Sequence, residues 1–275
     1  EAALAASGTV PVAEDGKRKI NLSGRQRMLS QRMAKATCFA AAGVNAFQHM
    51  IQARDAYDLF DETLAALRHG DVELGMNPVT APRILTELLM VEELWDSYGT
   101  LIRRSTSGLE EANYNLKLVA QLNMPVLRQM HRTVGEFERH YGGGGEIHHV
   151  LARAINVSGQ QRMLSQKASK EFCLIVAGQD VEENRAALAQ TTALFERSLN
   201  ALLMGSDVLQ MPPAPTDEIE RQLEIVKGIW APLKTIFEAT TSGSQPSQAE
   251  ITKVARDNNT LLREMNSAVG MYSEL

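Results

Sequence analysis

The sequence predicts an all-α protein that consists of two tandem antiparallel four-helix bundles related by an approximate two-fold axis. Three observations support this fold class. Ala, Leu, Gln, Glu, Arg and Met are frequent, while aromatic residues make up only 5% of the 275 residues, which favours helices. No segment alternates apolar and polar residues convincingly with the period of a strand. The chain also repeats itself at a constant offset of 135 residues.

The internal repeat is clearest in two segments of near-identical sequence. Ile20–Cys38 reads INLSGRQRMLSQRMAKATC, and Ile155–Cys173 reads INVSGQQRMLSQKASKEFC. The chain is therefore interpreted as a duplicated domain. We expect a lead-in over residues 1–19, a first repeat over 20–141, a glycine-rich linker and helix start over 142–154, and a second repeat over 155–275. Further identical pairs at the same offset include Phe60 with Phe195, Pro78 with Pro213, Trp95 with Trp230 and Asn123 with Asn258.

Each repeat is predicted to contain four helices. In the first repeat, helix one should end at Gly43, because glycine suits a helix C-terminus. Helix two is expected over about 45–68, and helix three should begin at Pro82, since proline fits the first helical turn. Helix four is expected over about 110–140. The second repeat should have the corresponding breaks near Gly178, at 211–215 and at 240–246.

Composition and charge exclude several classes of protein. The net charge of −5 argues against a nucleic-acid-binding protein, and no apolar run approaches the roughly 20 residues that span a bilayer. We find no convincing pair of nucleophile and base, no paired loop carboxylates and no glycine-rich phosphate loop, so catalysis is not expected. His140, His148 and His149 flank the glycine linker, where exposed histidines are far commoner than a metal site. No cofactor or metal is predicted.

The first helix of each repeat has two distinct faces at 100° per residue. One face carries Leu22, Leu29, Met33 and Ala36 and should form the core of its own bundle. The opposite face, here called the inter-repeat stripe, is expected to meet its counterpart from the other repeat. Its members are Ile20, Gly24, Arg27, Gln31, Ala34 and Cys38 in the first repeat and Ile155, Gly159, Arg162, Gln166, Ser169 and Cys173 in the second.

The stripe combines glycine and arginine in a way that favours an anion site. A glycine inside a helix costs about 1 kcal/mol relative to alanine, so its presence in both copies indicates a close approach of backbone or ligand. Arg27 and Arg162 have no carboxylate three or four residues away. If the stripes face each other, both guanidiniums point at one spot, and a small planar oxyanion matches their geometry. The alternative is a solvated face, or pairing with a carboxylate from another helix.

Cys38 and Cys173 occupy equivalent stripe positions, about three helical turns beyond the arginines. Two cysteines are too few for a disulfide scaffold. Buried free thiols are the simpler expectation. A disulfide between them is the alternative if the two stripes meet in an oxidising compartment.

The shared core Asn-x-Ser-Gly-x-Gln-Arg-Met-Leu-Ser-Gln resembles the signature helix of the PilJ-type, NarX-like sensor domain. The resemblance implies a four-helix extracytoplasmic module of bacterial chemoreceptors and nitrate/nitrite sensor kinases. By position it implies ligand contacts from Arg27 with Gly24 and from Arg162 with Gly159. The site should be asymmetric, because the second copy departs from the first at Gln160, Lys167 and Ala168. Weaker candidate contacts are Ser23, Ser30, Ser158 and Ser165.

These patterns lead to a functional hypothesis and an alternative. The hypothesis is a periplasmic sensor that binds nitrate or nitrite and signals through a membrane-bound partner or its own transmembrane output module, with a further homodimer possible. The alternative is a non-enzymatic interaction module whose basic stripe docks an acidic partner. Segment Glu1–Gly8 resembles the small-residue stretch at a signal-peptidase site, or a start just after a membrane anchor.

Overall fold

A computed structural model describes residues 10–145 and 147–275, and the described part is all α-helical apart from its connections. Short loops join the helices, and the longest of them follow the second helix of each repeat. The predicted signal-peptidase-like segment lies outside the described residues. The eight helices in this part are α1 (Val12–Ala41), α2 (Ala46–His69), α3 (Pro82–Ser105), α4 (Leu109–Gly143), α5 (His149–Val176), α6 (Val181–Met204), α7 (Asp217–Thr241) and α8 (Gln248–Glu274).

The all-α prediction is confirmed, and the helix ends follow the local sequence signals. Gly43 and Gly178, which follow α1 and α5, adopt φ of 71° and 68°. This left-handed conformation favours glycine and stops both helices at equivalent points. Pro82 is the first residue of α3, as its sequence suggested. Helix α4 continues through Pro125 and includes the first two glycines of the expected linker.

The helices form two groups of four, each with an apolar core. In the first group α1 packs on α2 and α4, and α3 packs on α4; in the second, α5 packs on α6 and α8, and α7 packs on α8. The groups meet mainly through α1 and α5. The same aromatic stack occurs in both cores, with ring centroids 4.1 Å apart for Phe60 and Trp95 and 3.9 Å apart for Phe195 and Trp230.

Helices α1 and α5 run parallel and in register. Equivalent residues meet near the middle, at Gly24 and Gly159, and again near the C-terminal ends, at Cys38 and Cys173. A two-fold axis relating the two bundles, and the domain boundaries themselves, stay predictions. None of the described helices combines the length and hydropathy that crossing a bilayer demands.

Helix α1 begins at Val12 and therefore includes part of the expected lead-in. Asp15 and Lys19 form an ion pair of 2.9 Å inside the protein, and both side chains are almost fully buried. The Tyr141 hydroxyl donates to the Asp15 carboxylate at 3.1 Å. A buried charge needs such a partner, so this start of α1 is fixed against the end of α4.

A disulfide joins Cys38 of α1 to Cys173 of α5. Both cysteines are fully buried. The expectation of free thiols was therefore wrong, and the alternative of a disulfide between equivalent stripe positions is what the structure contains. The parallel, in-register packing of the two helices brings the cysteines together, with 6.1 Å between their Cα atoms.

His49 should make the stability of the protein sensitive to mild acid. Its ring is buried against Phe39, and burial, with Lys35 nearby, lowers its pKa to about 4. The unfolded chain takes up the proton near pH 6.5, so stability present above that pH is lost as the pH falls toward 4. The loss should reach about 2 kcal/mol at pH 5. His49→Asn, which introduces the residue found at the equivalent Asn184, should remove this part of the pH dependence in urea denaturation at pH 7 and pH 5. An unchanged pH dependence in the variant would contradict the assignment.

Candidate anion site between the first helices

Arg27 and Arg162 each reach across to the other repeat. Nη2 of Arg27 donates to the backbone oxygen of Asn156 at 3.2 Å and to its side-chain Oδ1 at 2.8 Å. Nη2 of Arg162 donates to the equivalent atoms of Asn21 at 3.1 and 2.9 Å. The two contacts are reciprocal, so the sequence-predicted arginines are brought together between α1 and α5.

Gly24 and Gly159 lie where the guanidiniums converge. A Cβ placed on Gly24 would be 3.4 Å from Nη2 of Arg27 and 3.6 Å from Nη2 of Arg162. A Cβ on Gly159 would be 3.2 Å from Nη2 of Arg162 and 3.7 Å from Nη2 of Arg27. The two missing side chains therefore let both guanidiniums lie directly against the helix backbones, which gives the repeated glycine a physical reason.

Both guanidiniums are buried without an ion-pair partner in the described part of the chain. Arg27 is 0% exposed and Arg162 is 3% exposed, and the Nε atom of each is buried without a hydrogen-bond partner. Burial lowers the pKa of Arg27 to about 10 and, with the added repulsion of Arg27, that of Arg162 to about 9. Both remain charged at pH 7. Two buried like charges are costly, and an anion between them would remove most of that cost.

Glu138 is the carboxylate whose charge acts on Arg27, although no hydrogen bond or ion pair joins the two side chains among the described residues. Its charge opposes the lowering of the Arg27 pKa, while its carboxylate accepts a hydrogen bond from Nδ2 of Asn156. At the offset of 135 its counterpart is Ser273, whose hydroxyl accepts from Nδ2 of Asn21 at 3.2 Å. Glu138 thus neutralises one side only, which leaves Arg162 as the less compensated cation.

A second difference between the two sides is found at the outer ends of the arginines. Nη1 of Arg27 lies 3.3 Å from Nδ1 of His131, and Nη1 of Arg162 lies 3.4 Å from Oδ1 of Asn266, its positional equivalent. Burial and the Arg27 charge lower the pKa of His131 below 6.5. The imidazole is therefore neutral at pH 7, with Nδ1 able to accept from Arg27.

The four serines of the motif are committed to their own helices. Their hydroxyls donate to the carbonyl oxygen three residues earlier, at distances of 2.8 to 3.2 Å. All four are fully buried. The hydrogen of each hydroxyl is therefore already used within its own helix. These residues are Ser23, Ser30, Ser158 and Ser165.

Two buried lysines, which the sequence analysis missed, continue the stripe of cations toward the disulfide. Nζ of Lys35 donates to Oδ1 of Asn258 at 3.0 Å, and Nζ of Lys170 donates to Oε1 of Gln31 at 2.9 Å and to Oδ1 of Asn123 at 3.1 Å. Burial lowers the pKa of Lys170 to about 8 and that of Lys35 well below its usual value. The sequence did contain a signal for these contacts, because Lys35 and Lys170, and likewise Asn123 and Asn258, are identical pairs at the offset of 135.

The described residues give little support for a metal site or for the docking of an acidic partner. No group of three His, Cys, Asp or Glu side chains there is arranged to hold a metal ion. His148 instead accepts a hydrogen bond from the backbone of Val150 at the start of α5. The inter-repeat stripes are buried against each other, so an acidic partner could reach Arg27 only if the bundles separated, whereas Arg162 lines a cleft between α1, α2 and α8.

Two parallel first helices with paired cations at their contact define an all-helical module built from two four-helix units. Residues 10–120 and 150–256 match the family described as Type IV pili methyl-accepting chemotaxis transducer N-term, or PilJ. Because these matches cover more than half of the sequence, the chain belongs to this family and carries its domain in two tandem segments.

A chemotaxis receptor is among the similar proteins. The chain is 32% identical over 125 residues to the Methyl-accepting chemotaxis protein McpN of Pseudomonas aeruginosa. The aligned stretch covers 45% of this chain and 22% of that protein, so the chain spans well under two thirds of its relative. The family match places the chain among the N-terminal, signalling-related domains of chemotaxis transducers.

Proposed function

We propose that this chain senses a small planar oxyanion, nitrate or nitrite, which binds between Arg27 and Arg162. The observation that carries the proposal is the burial of two guanidiniums beside Gly24 and Gly159 without an ion pair in the described residues. Their Nε–H donors, which have no partner in the described part of the chain, suit the in-plane oxygens of a trigonal anion. Ligand binding would change the packing between α1 and α5.

The proposed setting is extracytoplasmic. The sensor would act in chemotaxis or two-component signalling, through a membrane-bound partner or an output module of its own protein. The disulfide between Cys38 and Cys173 supports this setting, because disulfides persist in oxidising compartments such as the periplasm. The family, which is that of chemotaxis transducers, supports it as well.

Isothermal titration calorimetry with nitrate, nitrite and chloride tests the proposal directly. One nitrate per chain is expected, since both arginines serve a single site. Chloride, which cannot accept several in-plane hydrogen bonds in the same geometry, should bind more weakly. Absence of heat with all three anions, together with an unchanged melting temperature at millimolar concentrations, would refute the proposal. Two independent sites per chain would refute the shared geometry.

The alternative of a protein-interaction module gains no comparable support. Its basic stripe is the surface that α1 and α5 bury against each other, and a disulfide holds those helices together. A partner would have to use another surface. Saturable binding of an acidic helical peptide to a protein that gives no heat with any of the three anions would favour this alternative over the sensor.

A further inference from the structure

A cleft of about 520 Å³ opens on one flank of the contact between the two repeats. It lies between α1 and α2 of the first repeat and α8 of the second, and is called here the α8 cleft. Its volume is within the range of small-molecule sites. Its polar lining consists of Asn21, Arg25, Arg32, Asp55, Arg162, Asn259, Arg263 and Asn266.

Four arginines meet a single carboxylate in the lining of the α8 cleft. Arg162 forms part of the innermost wall and is 3% exposed, with its Nε lacking a partner. Arg25 also has a buried Nε without a partner, although its Nη2 donates to Thr63 at 3.1 Å. The Arg32 side chain makes no hydrogen bond or ion pair within the described ranges, although the charge of Asp55, the one acidic residue that lines the cleft, opposes the lowering of its pKa. The cleft therefore has unused cationic donors at several depths.

The arginines are spread along the cleft rather than clustered at one point. Arg25 and Arg32 are seven residues apart on α1, which corresponds to about 10 Å along the helix. Arg263 lies on the outer rim, where its side chain is 70% exposed and contacts Glu264 at 3.0 Å. The remaining wall is apolar. It is formed by Leu22, Met28, Leu29, Ala56, Leu59 and Leu262.

The opposite flank has an equivalent cleft, which is lined by three cations, Arg128, Arg132 and Lys167, and by no carboxylate of the described residues. It measures about 480 Å³ and lies between α4, α5 and α6. Gln160 replaces Arg25 there, and Lys167, which replaces Arg32, is already paired with Glu171. Arg27 does not line it, whereas Arg162 lines the α8 cleft. Of the two clefts, only the α8 cleft is lined by a buried arginine without an ion pair in the described part of the chain, Arg162, and its twin serves as an internal control.

We propose that the α8 cleft is a second ligand site, and that it takes an organic dicarboxylate with a hydrocarbon backbone. One carboxylate would bind the inner guanidiniums of Arg25 and Arg162, and the other would bind Arg32 and Arg263 farther out. The hydrocarbon between them would lie on the leucine and methionine side chains. Separated charges joined by an apolar body match this lining better than a single inorganic anion does.

The test is calorimetric titration of the whole chain with succinate and adipate, and with butyrate and hexanoate as monocarboxylates of matched length. A dicarboxylate should bind at one site per chain and at least tenfold more tightly than its monocarboxylate. Arg32→Gln and Arg263→Gln should each weaken the dicarboxylate at least tenfold. The matched changes in the twin cleft, Lys167→Gln and Arg128→Gln, should alter it less than twofold. Melting temperatures report whether each variant is folded.

Several results would overturn the proposal. They are the absence of dicarboxylate binding at millimolar concentration, equal binding of mono- and dicarboxylates, and equal effects of the variants in the two clefts. The outcome does not depend on the proposed function, because nitrate is titrated separately into the same variants. Arg32→Gln should leave nitrate binding within threefold of wild type, so failure of one site is distinguishable from failure of the other.

Discussion

Nitrate binding should be lost in Arg162→Gln, with affinity at least a hundredfold weaker than in the wild type, while the ligand-free protein keeps its stability. The guanidinium is one of two cations proposed to hold the anion, so its removal takes away charge-assisted hydrogen bonds that nothing replaces. In the absence of ligand, however, it is a buried charge close to a like charge. Replacement by a neutral amide removes that repulsion and retains a hydrogen-bond donor toward Asn21.

Calorimetry measures the affinity in this experiment, and thermal unfolding with and without nitrate measures stability. Arg18→Gln is the control, because Arg18 lies on α1, the other helix of the pair, and bonds backbone oxygens at Leu74 and Gly75 outside the site. It should leave nitrate affinity unchanged. If Arg162→Gln unfolds the ligand-free protein, or if both variants weaken nitrate equally, the arginine is a structural residue rather than a ligand contact.

Removal of the disulfide should strongly lower the free energy of unfolding. Cys38 and Cys173 are 135 residues apart, so the bond closes a very long loop in the unfolded chain. The chain-entropy model assigns about 5 kcal/mol to a loop of this length. The double variant Cys38→Ala with Cys173→Ala should therefore unfold at a much lower urea concentration.

Urea denaturation followed by circular dichroism measures this loss. The wild type treated with a reductant should move toward the double variant, whereas the reductant should not affect the double variant itself. A double variant as stable as the oxidised wild type would show that the two bundles are held by packing alone.

Most of the fold could be predicted from the sequence, because the duplication shows the same helix boundaries in two copies that can be compared. Breaks at Gly43 and Gly178, and a start at Pro82, depend on local backbone preferences, which short sequence patterns encode well. The start of α1 at Val12 was missed. It depends on the buried pair of Asp15 and Lys19 with the distant Tyr141, a tertiary contact that local patterns do not contain.

The candidate site was predicted in part. Helical periodicity placed Arg27, Arg162 and the two glycines on one face, and the structure brings them together. Glu138 and His131 could not be found in this way, because they belong to α4 and have different residues at the equivalent positions of α8. The disulfide was only the alternative expectation for a related reason. Whether equivalent cysteines meet depends on parallel, in-register helices, which spacing along a single helix does not determine.

The disulfide also determines how the two first helices can move. Cys38 lies 11 residues beyond Arg27, about 16 Å along α1. Val12 lies 15 residues before Arg27, about 22 Å in the other direction. Because the cross-link fixes one end, α1 cannot slide along α5 and can only pivot or twist about it. A pivot multiplies any change of helix separation at Arg27 by about 2.4 at Val12, the end of α1 that is held against α4. The disulfide is thus the fixed point of the pivot. A small change in helix separation at the arginines becomes a larger displacement at Val12.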